Sequence, residues 1–443
     1  GRICYNTALP HATRPIMTTP QSSTLRQIFS RNMLICIFTG FTSGLPLYFL
    51  INLIPAWLRS EHIDLKTIGL MALIGLPFTW KFIWSPVMDA VRLPFLGRRR
   101  GWMLVTQIGL LLALAAYAFL NPHQHLPVII GLSAVVAFFS ASQDIVIDAF
   151  RREVLSDEEL VLGNSLYVNA YRISSLIPAS LSLILADRMS WSSVFIITAL
   201  FMIPGLLATL FVAREPARQP VGAKGLKDTV IEPFRDFFTR QSVTQALIIL
   251  AFILLYKLGD SMATALATPF YIDMGFSKTD IGLIAKNAGL WPAVIFGIIG
   301  GIWVNKLGVN RALWLFGLVQ WVTILGFAWL ASFGYFEHVG ASERTMLAVV
   351  IAAEAVGVGL GTVAFVSYMA QQTNTAFTAT QFALLSSLSA VPRTFMNATA
   401  GFLIEAMGYV NFFWLCFMLG IPGMLLLFKV APWNGDKAKQ STV

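Results

Sequence analysis

Asp144 and Asp148 lie four residues apart, and Lys257 and Asp260 three apart, each pair inside a stretch otherwise apolar enough to cross a bilayer. Those spacings bring two side chains onto one helix face, one turn from each other. Lys81, Arg172, Lys286, Glu354 and Arg393 sit in five further stretches of the same kind. A charge at the bilayer centre costs roughly 2.5–3.5 kcal/mol on insertion scales, so nine of them facing lipid would cost on the order of 25 kcal/mol. They must line an interior cavity or pair within one. A carboxyl held there can bind and release a proton, because desolvation favours its neutral form. An arginine there can grip a carboxylate through its planar fork. Five basic groups against four acidic ones favour an anionic cargo. Lys257 and Asp260 can pair with each other, which would hold Asp260 ionised. Asp144 or Asp148 is then the first choice for proton carrier, with Glu354 and Asp260 behind; a static ion pair is the alternative for each.

Positioning these groups takes membrane-spanning helices. Apolar residues make up 56% of the 443 and charged residues 12%, against about 25% charged in soluble domains. Twelve apolar spans run near 33–58, 65–86, 102–121, 127–149, 162–186, 191–213, 245–271, 279–303, 312–332, 346–371, 378–406 and 410–430. Each supplies the ~20 helical residues that a bilayer ~30 Å thick requires. The N-terminal segment, the even-numbered loops and the C-terminal tail then share one side, which holds 21 of the 31 Lys and Arg. Five lie on the other side and five within the spans. Loops rich in Lys and Arg stay in the cytoplasm, so both termini belong there.

The expected fold is therefore an all-α polytopic membrane protein. It divides into a cytoplasmic segment 1–32, a six-helix half 33–213, a cytoplasmic linker 214–244, a second six-helix half 245–432 and a tail 433–443. Residues 1–16 lack the apolar core of a signal peptide, and Met17 is a candidate start with the earlier residues an upstream extension. Phe234, Phe237 and Phe238 in the linker fit either an amphipathic helix on the inner membrane surface or a plain solvated connection.

Several function classes fit poorly. No Gly-x-x-x-x-Gly-Lys-Ser/Thr loop is present to hold ATP, which leaves the proton gradient to drive an inward carrier. His11, His62, His123, His125 and His338 all lie outside the spans, which disfavours a metal carrier and a histidine-based membrane enzyme. Cys4, Cys36 and Cys416 form no disulfide framework. The net charge of +9 follows the membrane topology and is not arranged for nucleic acid. No cofactor is expected, and the partners are a small anionic molecule, protons and the bilayer. A non-transporting sensor is the rival from another class, although the largest loop is only ~30 residues by the span reading.

Sugar-like cargo needs aromatic faces and hydrogen bonds. Tyr48, Trp80, Tyr167, Tyr171, Tyr256 and Trp291 are candidate platforms. Asn52, Gln143, Asn169, Asn287, Gln371 and Gln381 are candidates for hydroxyls. Lipid contact and packing compete for the aromatics, and interhelical hydrogen bonds compete for the amides. Gly297, Gly300 and Gly301, with Gly357, Gly359 and Gly361, are expected to form close-packing faces of the eighth and tenth spans.

The two halves repeat. Lys66-Thr-Ile-Gly-Leu opens the second span and Lys278-Thr-Asp-Ile-Gly-Leu the eighth. Pro77 matches Pro292, Asp89 matches Asn305, Ile203-Pro204-Gly205 matches Ile421-Pro422-Gly423, and Arg172 matches Arg393. Matches in register across six-helix halves indicate two parallel repeats about an axis along the membrane normal.

That organisation resembles the major facilitator superfamily. Asp89, Arg92, Gly97, Arg98, Arg99 and Arg100 look like a stretched form of its cytoplasmic signature, Gly-x-x-x-Asp-Arg-x-Gly-Arg-Arg. Gly301, Asn305, Lys306, Gly308 and Arg311 form a second copy, in which Asn305 replaces the acid. The resemblance implies a latch in which an acid at a helix end meets a basic residue and a helix N-terminus; without its acid the second latch is weaker. A basic loop that only fixes topology is the alternative.

A narrower resemblance follows. Gly44-Leu45-Pro46, Trp84-Ser-Pro86-Val-Met-Asp89 and Gly97-Arg98-Arg99-Arg100-Gly101-Trp102 come in order. After them come Ala141-Ser-Gln143-Asp144-Ile-Val-Ile-Asp148, Tyr256-Lys257-Leu-Gly-Asp260 and Ala379-Thr-Gln381-Phe-Ala-Leu-Leu-Ser-Ser-Leu-Ser-Ala390. Together they are similar to the AmpG-type muropeptide permeases of Gram-negative inner membranes. That likeness implies import of N-acetylglucosaminyl-1,6-anhydro-N-acetylmuramyl peptides for cell-wall recycling, and with it the signal for β-lactamase induction. It also implies a monomer. Some members have extra C-terminal helices, and the compact twelve-helix form is expected here. A related carrier of another large polar anion, siderophore-linked or of the acyl-CoA type, is the alternative.

Overall fold

The computed structural model describes residues 24–84, 87–88, 91–217, 227, 231–372 and 378–436. Its main helices in chain order are α1 (Arg31–Ser60), α2 (Leu65–Trp80), α3 (Arg98–Phe119), α4 (Leu126–Val154), α5 (Leu162–Ala186) and α6 (Trp191–Phe211). There follow α7 (Val243–Asp273), α8 (Lys278–Leu307), α9 (Val309–Ala331), α10 (Ala341–Met369), α11 (Thr378–Ala398) and α12 (Ala400–Val430). Among the described residues, all of these but α2 and α11 make up the 10 helices long and apolar enough to cross a membrane.

Local sequence accounts for the two exceptions. The second span, expected over 65–86, tightens to a 3₁₀ turn at Met71–Gly75, is α-helical again only to Trp80 and ends in a second 3₁₀ turn at Lys81–Ile83. Pro77, which has no N–H to donate, stands at the restart. The eleventh span, expected over 378–406, carries a local irregularity at Thr399, so its helix α11 is counted apart from residues 400–407. Thr399 keeps right-handed helical angles (φ −81°, ψ −11°) and does not reverse the chain; the break falls at Gly408, whose φ of 80° suits glycine. Serines start several helices. Ser190, Ser242 and Ser277 each accept the backbone N–H three residues on, satisfying a donor that the first turn leaves free.

Close packing is built where the glycines fall. A methyl on Gly359 would stand 2.6 Å from the Ala293 carbonyl oxygen, and one on Gly300 3.2 Å from Leu360, so α8 and α10 touch along their backbones. The linker holds a helix, Glu232–Arg240. Its Phe237 is buried with Ile249, Phe252 and Ile253 of α7, so this part of the linker docks on protein and is not a plain solvated connection.

The first six helices meet the last six at one end of the bundle, away from Arg31 and Arg98. Arg59 at the end of α1 forks onto Asp273 at the end of α7, with N–O distances of 2.8 and 2.9 Å. Tyr409 donates to the same carboxylate at 2.5 Å. Lys66 pairs with Glu405 at 3.3 Å, and Lys278 with Asp187 at 3.3 Å. Gly69 lies against Gly401 beside the Lys66 pair. Among the described residues, the ion pairs and side-chain hydrogen bonds joining the two sets of helices all lie at this end. Arg59 and Asp273 keep 23% and 22% of their side-chain surface exposed, so their pair contributes on the order of 1 kcal/mol. Arg59→Asp alone should lower the melting temperature in detergent by about 2 °C or more, and adding Asp273→Arg should restore it; equal losses in the single and double variants would show that the pair does not join the halves.

Candidate functional site

A cavity of about 440 Å³ lies between the two sets of helices, within the range of small-molecule sites. Tyr48, Ile51, Asn52, Ala179 and Leu183 line it from α1 and α5. Asp260, Thr268, Tyr271, Lys286 and Glu354 are among those lining it from α7, α8 and α10. Three π-helical turns converge on its wall: Phe49–Leu53 in α1, Ile177–Leu181 in α5 and Ile281–Ala285 in α8. Each widens its helix by one residue and turns side chains toward the space between the halves. No residue pattern had pointed to these turns; Pro178 is the sole local cue.

The charges of the cavity come from the second half. The Asp260 and Glu354 carboxyls both line the cavity and interact with each other electrostatically. Arg393 of α11 stands behind Asp260. Lys286 carries its ammonium 5.1 Å from the centre of the Tyr48 ring, across the gap between halves, a cation–π distance. Tyr48 in turn meets Tyr171 edge-on at 5.9 Å and lies beside Arg172, which is exposed. Lys257 does not pair with Asp260 as the i,i+3 spacing predicts. Its ammonium donates instead to Gln320 Oε1 of α9 at 3.1 Å and to Thr362 Oγ1 of α10 at 2.9 Å. The reason lies on neighbouring helices, where neutral acceptors stand closer than the acid.

In the first half the buried Asp144 accepts the Ser43 hydroxyl, and Ser43 accepts Tyr167 O–H at 2.9 Å. Lys81 acts on Asp144 from beyond α2. Asp148 is half-exposed and pairs with Arg151 at 3.1 Å; the same guanidinium bonds Asn164 and covers the Tyr167 ring at 3.7 Å. None of Lys81, Asp144, Asp148, Arg172 or Arg393 is among the residues lining the cavity.

Sequence comparison decides the family. The Major Facilitator Superfamily profile matches residues 36–372. The chain belongs to that superfamily. It is 42% identical over 395 residues to the anhydromuropeptide permease of Escherichia coli K12, covering 89% of this chain and 78% of that one. An uncharacterized Haemophilus influenzae protein is 49% identical over 423 residues, 94% of this chain and 98% of its own. Among solved structures, the D-xylose-proton symporter and the nucleoside transporter NupG superpose with TM-scores of 0.67 at 12% and 11% identity. They cover 92% and 91% of this chain and 99% of each of those chains, and show the shared fold. The chain is a multi-span transporter of the anhydromuropeptide permease family and not an enzyme.

The superfamily's cytoplasmic signature is partly rewired. Asp89 lies outside the described residues, and Arg92 is exposed. Arg98 and Arg99 pair with Glu153 at the end of α4, at 3.2 and 2.7 Å. Gly97 (φ 92°) precedes α3, and two N–H groups in the first turn of α3, those of Arg99 and Arg100, both donate to the Glu215 carboxylate at 3.0 Å. Arg100 closes the other end of the contact by donating to the Thr209 and Leu210 carbonyls of α6. The second half repeats the device. Gly308 (φ 87°) precedes α9, and Asn310 N–H donates to Asp436 at 2.9 Å, while Arg311 binds Asn434. An acid placed after the sixth helix thus meets the helix N-terminus in each half. Asn305 and Lys306 are exposed near the end of α8. The matched glycines Gly97 and Gly308 were the sequence signal for Glu215 and Asp436.

Two amides leave the expected cargo site. Gln143 is fully buried and donates to the Thr42 carbonyl at 2.8 Å, an interhelical bond between α4 and α1. Gln381 is 1% exposed and donates to Asp236 of the linker helix at 2.6 Å. Trp80 and Trp291 are 41% and 42% exposed, outside the cavity lining, and Trp291 bonds Asn287 one turn away on its own helix. Gln381→Ala should leave cargo affinity within about twofold while freeing the linker helix, read as faster tryptic cleavage at the exposed Arg235; the amide–carboxylate bond it removes is worth about 1.5–3 kcal/mol. A tenfold loss of affinity with unchanged proteolysis would return Gln381 to the cargo site.

Proposed function

We propose that this protein imports anhydromuropeptides from the periplasm to the cytoplasm across the bacterial inner membrane, coupled to protons, for cell-wall recycling. The cargo rests on the 42% identity to the Escherichia coli anhydromuropeptide permease. The uptake would also feed β-lactamase induction. The coupling rests on one observation: the facing Asp260 and Glu354 carboxyls line the same cavity as Lys286.

The distribution of Lys and Arg supports a cytoplasmic location for both termini. The chain then crosses twelve times, as a monomer: α2 with the turn after it is the second crossing, and α11 with residues 400–407 the eleventh. The zipped end faces the periplasm, so the structure corresponds to a state sealed from outside. Cargo is held by complementary walls. Lys286 attracts its carboxylates, with Arg393 and Arg172 behind, while Tyr48, backed by Tyr171, offers a ring and Asn52 a hydrogen-bonding amide.

Two carboxyls facing each other in a low-dielectric cavity repel when both are charged, and one shared proton removes the repulsion. Asp260 and Glu354 are thereby the preferred proton site over Asp144, tied to Ser43, and Asp148, tied to Arg151. An anionic cargo in the same cavity favours the protonated pair, and the proton in turn favours the anion. Rocking of the halves then requires the Arg59–Asp273, Lys66–Glu405 and Lys278–Asp187 contacts to open on the outward stroke.

In proteoliposomes, wild-type protein should accumulate labelled anhydromuropeptide under an inward proton gradient and lose it with an uncoupler. Glu354→Gln should keep cargo exchange but accumulate nothing above equilibrium. Lys286→Gln should weaken cargo binding about tenfold, as expected for loss of a charge-assisted contact. No uptake by folded wild-type protein would refute the cargo, and full accumulation by Glu354→Gln would refute the proton site.

A further inference from the structure

Lys257 is a buried cation whose two hydrogen-bond partners, Gln320 and Thr362, are both neutral. Asp260 stands on the same face of α7, three residues on, and its Oδ1 has no hydrogen-bond partner among the described residues. A buried lysine with a flexible stem and an unsatisfied carboxylate oxygen within reach would ordinarily close on it, because an unpaired charge in a low dielectric is costly. Here two helices intervene. Gln320 comes from α9 and Thr362 from α10, and together they hold the ammonium away from the acid.

The approach of Gln320 is specifically accommodated. A methyl on Gly361 would collide with its Oε1, and one on Gly357 would lie 2.8 Å from its Cα. Only bare backbone on α10 lets the amide oxygen reach Lys257. The Nε2 of Gln320 has no partner among the described residues, so the contact to Lys257 is the hydrogen bond in which the amide is used.

We infer that Gln320 and Thr362 are positioning residues for proton coupling: they hold Lys257 off Asp260 and so keep the Asp260–Glu354 pair able to take a proton. The inference rests on the proton site proposed above. Without them Lys257 closes on Asp260 and fixes it as a carboxylate, which leaves Glu354 no partner with which to share a proton. The other groups facing the pair are Arg393 from α11, Lys286 across the cavity from α8, Tyr271 near the end of α7 and Cys416 from α12. None of them stands between Lys257 and its neutral acceptors in the observed bonds.

The test is infrared titration of purified protein in heavy water, following the protonated-carboxyl band that Glu354→Gln abolishes. Gln320→Leu and the near-isosteric Thr362→Val should each move the midpoint of that band to lower pH, by about one to three units when combined, the range an opposite charge at contact produces. Gly361→Ala, which displaces the Gln320 amide, should move it the same way. Adding Lys257→Met to Gln320→Leu should abolish the shift, which a purely structural defect would not do. Unchanged midpoints in folded Gln320→Leu and Thr362→Val, or a shift that persists without Lys257, would overturn the inference. Absence from wild-type protein of any carboxyl band sensitive to Glu354→Gln would instead defeat the proton site itself, and the inference with it.

Discussion

A charge inside a bilayer must be surrounded by protein, and the arrangement of this molecule follows from that constraint. The ionisable groups of the interior divide into two systems. In the first half they are tied down locally: Asp144 by Ser43, Asp148 by Arg151. In the second half they meet in the space between halves, where Asp260 faces Glu354 and Lys286 reaches toward Tyr48. The first half accordingly gives the cavity an uncharged wall of Tyr48, Ile51, Asn52, Ala179 and Leu183, and the second a charged one.

The same constraint shapes the moving parts. The contacts between halves are partly exposed ion pairs at one end, each worth little on its own. Weak, polar contacts are what a carrier needs at a surface that must part on every cycle. Within a half the contacts are of another kind. Gly300 and Gly359 bring α8 and α10 into backbone contact, and carboxylates at Glu215 and Asp436 fasten the segment after the sixth helix to the start of the third. Each half is thereby stiff against bending while the seam between them stays easy to open.

Much of this was legible in the sequence, for a physical reason. Hydropathy and the Lys/Arg distribution report on lipid contact directly, so the helical fold and the superfamily followed from span lengths and repeats. Lys286, Asp260 and Glu354 stood out because a charge in an apolar span is too costly to keep unless it faces a cavity or a partner. What a helix-length pattern cannot report is which neighbour a side chain meets. Gln143 and Gln381 looked equivalent to cavity amides until their partners, the Thr42 carbonyl and Asp236, were seen on other elements. The spacing of Lys257 and Asp260 pointed to an ion pair, but the acceptors on α9 and α10 are 63 and 105 residues away in the chain. The π-helical turns left little trace either, Pro178 apart, because one extra residue per turn changes neither hydropathy nor composition.

The central claim is that cargo and proton enter through one cavity together. It is tested most directly by adding anhydromuropeptide to the outside of de-energised proteoliposomes while recording external pH. Co-transport predicts that the external medium turns alkaline as cargo enters, and that Glu354→Gln abolishes this change while still exchanging cargo. Cargo entry with no pH change in wild-type protein, or with acidification, would contradict the account.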